Sequence, residues 1–162
     1  MKRKQKIYLD TSVVSHLDQH DAPERMAETQ KFWELVKKGE YSVFISEVAT
    51  DEIDNCNDEK KNKLYSYLRK VEYAFVNKSR DMEELATHII DMGILTQKSF
   101  DDCCHIALAI LNECDIIVSW NFKHLVNPKT IRGIRAITIS QGYKDILICD
   151  PLMMLGGIEY DT

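Results

Sequence analysis

Short apolar runs rich in β-branched residues recur along the chain at residues 6–10, 42–46, 115–120 and 145–149, each of strand length. A weaker fifth run at 73–76 precedes Asn77, Ser79 and Asp81, which all suit a helix N-cap. Between these runs the apolar positions shift to a spacing of three and four. Over 23–38, Met26, Phe32, Trp33, Leu35 and Val36 fall on one side of a helix that Gly39 would stop. Residues 58–71, 81–92 and 99–114 follow the same period, with Gly93 placed to end the second of these. Pro128 can open a further helix through Ile131, Ile134 and Ile137.

Strands alternating with helices over the whole length predict an α/β fold with a parallel, doubly wound sheet covered on both faces. The 162 residues suit a single domain over 1–162, and no repeat or linker marks a boundary. In such sheets, ligands bind beyond the carboxyl ends of the strands, so the residues that leave each strand are the candidates for chemistry.

Asp10 leaves the first strand in Leu9-Asp10-Thr11-Ser12, where a helix cap explains it as well as a ligand role does. After the second strand, Ser46 can open a helix in which Glu52 shares a face with Val48, Ala49 and Ile53, while Glu47 and Asp51 point to water. An inward-turned acid needs a partner. In the run from Ser99 to Ala107, Ser99 and Asp102 fit a capping box. Asp102 also shares its helix face with His105, Ile106 and Ala109, which places a carboxylate at the N-terminal end of a core-facing helix. Beyond the fourth strand stand Ser119, Trp120 and Asn121. The amide oxygen of Asn121 can ligate a hard cation, or Asn121 can cap a helix over 122–126.

Two bare carboxylates about 4 Å apart repel by roughly 4 kcal/mol at an effective dielectric near 20, so acids gathered on one rim call for a cation or a shared proton. An all-oxygen set favours Mg²⁺ or Mn²⁺ over zinc. The net charge of −5 and pI near 5.5 argue against a protein that merely coats nucleic acid, but not against a nuclease whose cation attracts phosphate. Five cysteines without a Cys-x-x-Cys pair indicate neither a disulfide framework nor a zinc ribbon, and packing thiols are expected. The absence of an apolar run of roughly 18 to 20 residues predicts no membrane span and a cytoplasmic location.

The Asp10-Thr11-Ser12 segment, Glu52 after a Ser-led helix, the Asp102-x-x-His105-Ile106-Ala107 run and the Ser119-Trp120-Asn121-Phe122 run together resemble PIN domains, in particular VapC-like toxins of toxin–antitoxin pairs. That resemblance implies a three-layer α/β/α fold with a central parallel sheet of about five strands. It implies Mg²⁺- or Mn²⁺-dependent endoribonuclease activity, an RNA substrate, an antitoxin protein partner and a homodimer. Asp10, Glu52 and Asp102 take the places of the family's catalytic acids, with Asp10 and Asp102 as metal ligands. Thr11, Ser119 and Asn121 stand around them, and Asn121 replaces a fourth acid found in many members. His105 reads as a buried structural residue, and Lys123, Lys129, Arg132 and Arg135 as either RNA contacts or a solvated face.

An alternative is the same fold with a degenerate site, binding RNA or a protein partner. A haloacid-dehalogenase-like phosphatase would need an acid where Ser12 stands. A hydrolase Gly-x-Ser-x-Gly elbow and a Gly-rich nucleotide loop are both missing.

Overall fold

All five apolar runs form strands in the computed structural model, which describes residues 3–159: β1 (Lys6–Leu9), β2 (Ser42–Ser46), β3 (Ala74–Val76), β4 (Ile116–Val118) and β5 (Leu147–Cys149). They make one sheet in the order β3-β2-β1-β4-β5, and every pairing is parallel. Among the described residues eight α-helices connect and cover it: α1 (Thr11–His16), α2 (Pro23–Lys37), α3 (Glu47–Asp54), α4 (Asp58–Leu68), α5 (Arg80–Asp91), α6 (Phe100–Leu111), α7 (Pro128–Gln141) and α8 (Pro151–Glu159). The result is the three-layer α/β/α, PIN-like architecture.

The period of two along β1 assigns its side chains to two cores. Ile7 and Leu9 join Val13, Phe32, Val36, Leu64 and Met154 on one face, while Tyr8 joins Ile89, Ile106, Ile117 and Ile137 on the other. Full burial of each large aliphatic or aromatic side chain stabilises the fold by about 1.5–3 kcal/mol relative to exposure. Asp10, two residues beyond Tyr8, therefore leaves the strand on the side covered by α6. The connection from β1 leads to β2 on one side, and β4 lies on the other, so the chain order reverses between β1 and β4. Their carboxyl ends flank the crevice where doubly wound sheets bind ligands.

Several local expectations are corrected. The run at 115–120 pairs only over Ile116–Val118, because Ser119 and Trp120 turn off to bond the Asp10–Ser12 segment. Pairing in the last run is likewise restricted to Leu147–Cys149. A 3-10 turn, Gln97–Ser99, leads into α6 and holds Ser99 at φ −103° and ψ 25°, outside the extended region an N-cap needs. Its hydroxyl makes no cap bond, so Ser99 and Asp102 form no capping box. Residues 122–126 are turns rather than a helix, with the Asn121 side-chain oxygen accepting from His124 N–H. The helix α8 was not predicted, since its Pro-Leu-Met-Met-Leu start lacks a polar face. Asp150 opens it by accepting from Met153 N–H, and it packs on α2. Gly39 and Gly93 do end α2 and α5, at φ of +79° and +75°. All five cysteines are free thiols.

Gly133 faces Ile94 so closely that an added Cβ would lie 2.6 Å from Ile94 Cγ1. Alanine elsewhere in a helix stabilises by about 1 kcal/mol over glycine. Here Gly133→Ala is expected to destabilise by about 1–3 kcal/mol through overpacking. In an Ile94→Ala background the same change should be neutral or stabilising, as read by urea denaturation of the four proteins.

Candidate active site

Asp10 is 4% exposed and carries out two tasks with one carboxylate. Its Oδ1 accepts from Ser12 N–H at 3.1 Å, which caps α1, and from the Ser12 hydroxyl at 2.5 Å. Its Oδ2 accepts from the Ser119 hydroxyl at 2.5 Å. Each serine is in turn fixed by the chain leaving β4: Trp120 N–H donates to Ser12 Oγ and Asn121 N–H to Ser119 Oγ, both at 2.9 Å. The cap and the rim position are thus one arrangement, with the ends of β1 and β4 laced together through a buried anion. Trp120 is anchored on the other side by its indole N–H, which donates to Thr29 of α2 at 2.8 Å.

A second chain of bonds runs through His105, which is buried in α6. His105 Nε2–H donates to Glu52 Oε1 at 2.7 Å, and Nδ1 meets the Tyr8 hydroxyl at 2.6 Å. Tyr8 in turn bonds Ser46 Oγ at 2.6 Å, and Ser46 caps α3 by accepting from Ala49 N–H. This positions Glu52 differently from the sequence reading. Its side chain is 39% exposed, on the boundary of the site rather than within an apolar layer, and it is held there by histidine. Glu47 and Asp51 point outward and engage Lys78.

Asp102 is half-buried at the start of α6, and its Oδ1 accepts from Asn121 Nδ2 at 3.3 Å. Because the Asn121 oxygen is committed to His124 N–H, the amide presents its N–H groups, not its oxygen, to the acid. That differs from the expected oxygen ligand and agrees with a turn-capping role. The structure therefore gathers Asp10, Asp102, Ser119 and Asn121 directly, and Glu52 through His105. Thr11 lies beside them, and its buried Oγ1 has no hydrogen-bond partner among the described residues.

The electrostatics follow from the packing. Burial pushes the Asp10 carboxyl up from its ordinary value, against the pull of His105 and the two serines, and Glu52 adds to the rise. Burial likewise raises Asp102, with Asp10 and Glu52 contributing repulsion and His105 and His124 opposing it. For His105, burial alone would lower the pKa, but the bond to Glu52 and the fields of Asp10, Glu52 and Asp102 leave it raised. Tyr8 is raised well above its ordinary value, chiefly by burial, and stays a neutral phenol. Among the described residues, no Lys or Arg forms an ion pair with Asp10 or Asp102.

The donor set fits a hard cation at the level of two carboxylates, Asp10 and Asp102, supported by hydroxyls. A three-acid cluster is not formed. Among the described residues, no three His, Cys, Asp or Glu side chains converge as a metal-binding group, and Glu52 is drawn off to His105. Tyr8, Ser12, Ser46 and His105 are the supporting residues that the sequence reading left without a role in the site. The signal for Tyr8 was its place two residues before Asp10, on the same face of β1.

No protein-family profile matches the chain, and no curated protein does. Solved structures do match. One is a chain in the crystal structure of VapBC2 from Rickettsia felis bound to a DNA fragment from their promoter. It superposes with a TM-score of 0.56 at 14% identity, covering 90% of this chain and 98% of that one. At that identity the likeness is one of fold. The class defined by fold and site together is a PIN-like α/β/α protein with a buried, hydroxyl-bound aspartate at the β1/β4 crevice.

The raised groups set a pH dependence. A group whose folded pKa lies above its unfolded value lends stability that is complete below the unfolded pKa and lost as pH rises through the folded one. Asp10, Asp102 and His105 all belong to this class, so the metal-free protein should lose stability as pH climbs from about 4 and on past 6.5. Asp115 acts oppositely: burial pushes it up, yet Lys144, Lys6 N–H and Arg3 hold it at about 2, so its contribution is lost only as pH falls through that value. Urea midpoints in EDTA across this range should decline with pH in the parent and less steeply in Asp10→Asn. Parallel profiles would contradict the assignment.

Proposed function

We propose that this chain is a divalent-metal-dependent endoribonuclease and the toxin member of a toxin–antitoxin pair, with an antitoxin protein as partner and a homodimer as its assembly. The observation that carries the reading is a pair of acids, Asp10 and Asp102, buried or half-buried at the β1/β4 crevice without a Lys or Arg counter-ion among the described residues. The PIN-like fold, and its likeness to a chain from the VapBC2 assembly, support the toxin–antitoxin context. Among the described residues no helix is long and apolar enough to cross a membrane, which accords with a cytoplasmic RNA substrate.

In this reading Asp10 and Asp102 hold Mg²⁺ or Mn²⁺. The cation supplies Lewis acidity, drawing charge from phosphate oxygens and making water a stronger nucleophile. Ser12 and Ser119 fix the plane of the Asp10 carboxylate, so no reorganisation is needed as charge develops. Asn121 steadies Asp102. Glu52, whose Oε1 is held by His105, orients the attacking water and takes its proton on the remaining oxygen.

A second reading, a binding module on the same fold, draws on the commitment of Glu52 to His105 and of the Asn121 oxygen to a backbone N–H. One assay separates them. With Mn²⁺, the parent should cleave a mixed RNA pool and EDTA should stop it. Asp10→Asn and Asp102→Asn should each slow cleavage at least about a hundredfold, on the order of 2.7 kcal/mol of barrier. RNA left intact by the parent, or cut equally by both variants, would favour the binding module or another site.

A further inference from the structure

The end of the sheet opposite the acids has the reverse chemistry. Lys4 precedes β1, Gly39 to Tyr41 lead into β2, and Arg69 to Val71 lie between α4 and β3. These segments border a cavity of about 460 Å³ lined by Lys4, Lys37, Lys38, Arg69 and Lys70, with Glu72 as its one carboxylate among the described residues. On a chain of net charge −5 this is a local inversion, not a consequence of composition. Lys37 is partnered by Glu34 at 2.7 Å. Among the described residues, Lys4, Lys38, Arg69 and Lys70 have no carboxylate within salt-bridge distance.

We propose that this cavity binds a compact polyphosphate anion, gripped by Lys4, Lys38, Arg69 and Lys70. Cations are expected at the ends of α2 and α4, because a helix C-terminus carries roughly half a negative charge. Two such ends ask for about one positive charge, whereas the cavity presents five cations against one carboxylate. Lys4, moreover, belongs to neither helix. Its ammonium lies over Gly39, where an added Cβ would sit 3.6 Å from Nζ.

A smaller cavity of about 110 Å³ shares Lys37 and Lys70 as walls, but Glu34 also lines it, so the anion is placed in the larger one, where cations outnumber carboxylates. The larger volume lies within the roughly 300–1,000 Å³ typical of small-molecule sites. The cations border one cavity of limited volume, which favours a compact anion over an extended strand. The reading is independent of the proposed nuclease site.

The test is calorimetric titration of inorganic tripolyphosphate into the full chain, with EDTA present so that no cation bridges the anion to the acids. Saturable binding is expected at one site per chain. Lys38→Glu with Arg69→Glu, both exposed positions, should weaken it at least about tenfold, while Asp10→Asn leaves it unchanged. Absence of saturable binding up to millimolar anion, or equal affinity in the charge-reversed variant, would overturn the proposal. So would a 20-nucleotide RNA that binds through the same residues and is not displaced by tripolyphosphate, since the cavity would then be part of a strand groove.

Discussion

The carboxylate of Asp10 is the group around which the rest of the site is organised. It is buried, it caps α1, and it accepts from two serine hydroxyls that in turn accept the backbone N–H groups leaving β4. Hydrogen bonds of this kind lower the cost of burying the anion, but they do not neutralise it. The charge is balanced by His105 and by protonation, and both respond to pH. The native state keeps Asp10, Asp102 and Glu52 within one another's fields, a repulsion that the proposed cation would relieve.

His105 explains why the third acid stands apart. The imidazole of His105 in α6, bonded on one side to Glu52 and on the other to Tyr8, ties the β1 and β2 strands to the helix that carries Asp102. This fixes the distance between helix and sheet while giving Glu52 a definite orientation at the boundary with solvent. Removing His105 would leave Glu52 without its partner and the Tyr8 hydroxyl with only its bond to Ser46 Oγ, so its role is to position.

The fold was legible in the sequence because all five strands announce themselves as short β-branched runs and the helices between them carry a 3.6-residue period. α8 was not, because its apolar start has no polar face to give it a period. In the site, the acids could be found from their place after strands and on helix faces. Their couplings could not: the turn of Asn121 toward His124 N–H and of Glu52 toward His105 depends on side-chain bonds across 3 and 53 positions of sequence. The Ser99 cap failed for a local reason, a 3-10 turn that takes Ser99 out of the extended region. The basic cavity draws on segments separated by more than sixty residues, and no single stretch of sequence displays it.

The central claim is that Asp10 and Asp102 share a divalent cation, and thermal melting with and without millimolar Mn²⁺ tests it without needing a substrate. A ligand that binds only the native state raises its melting temperature. Mn²⁺ should therefore raise that of the parent protein clearly and that of Asp10→Asn much less, and the variant without metal should melt at or above the parent because a repulsive buried charge has been removed. Equal shifts in the two proteins, as expected if Asp10 serves only to cap α1, would contradict the account.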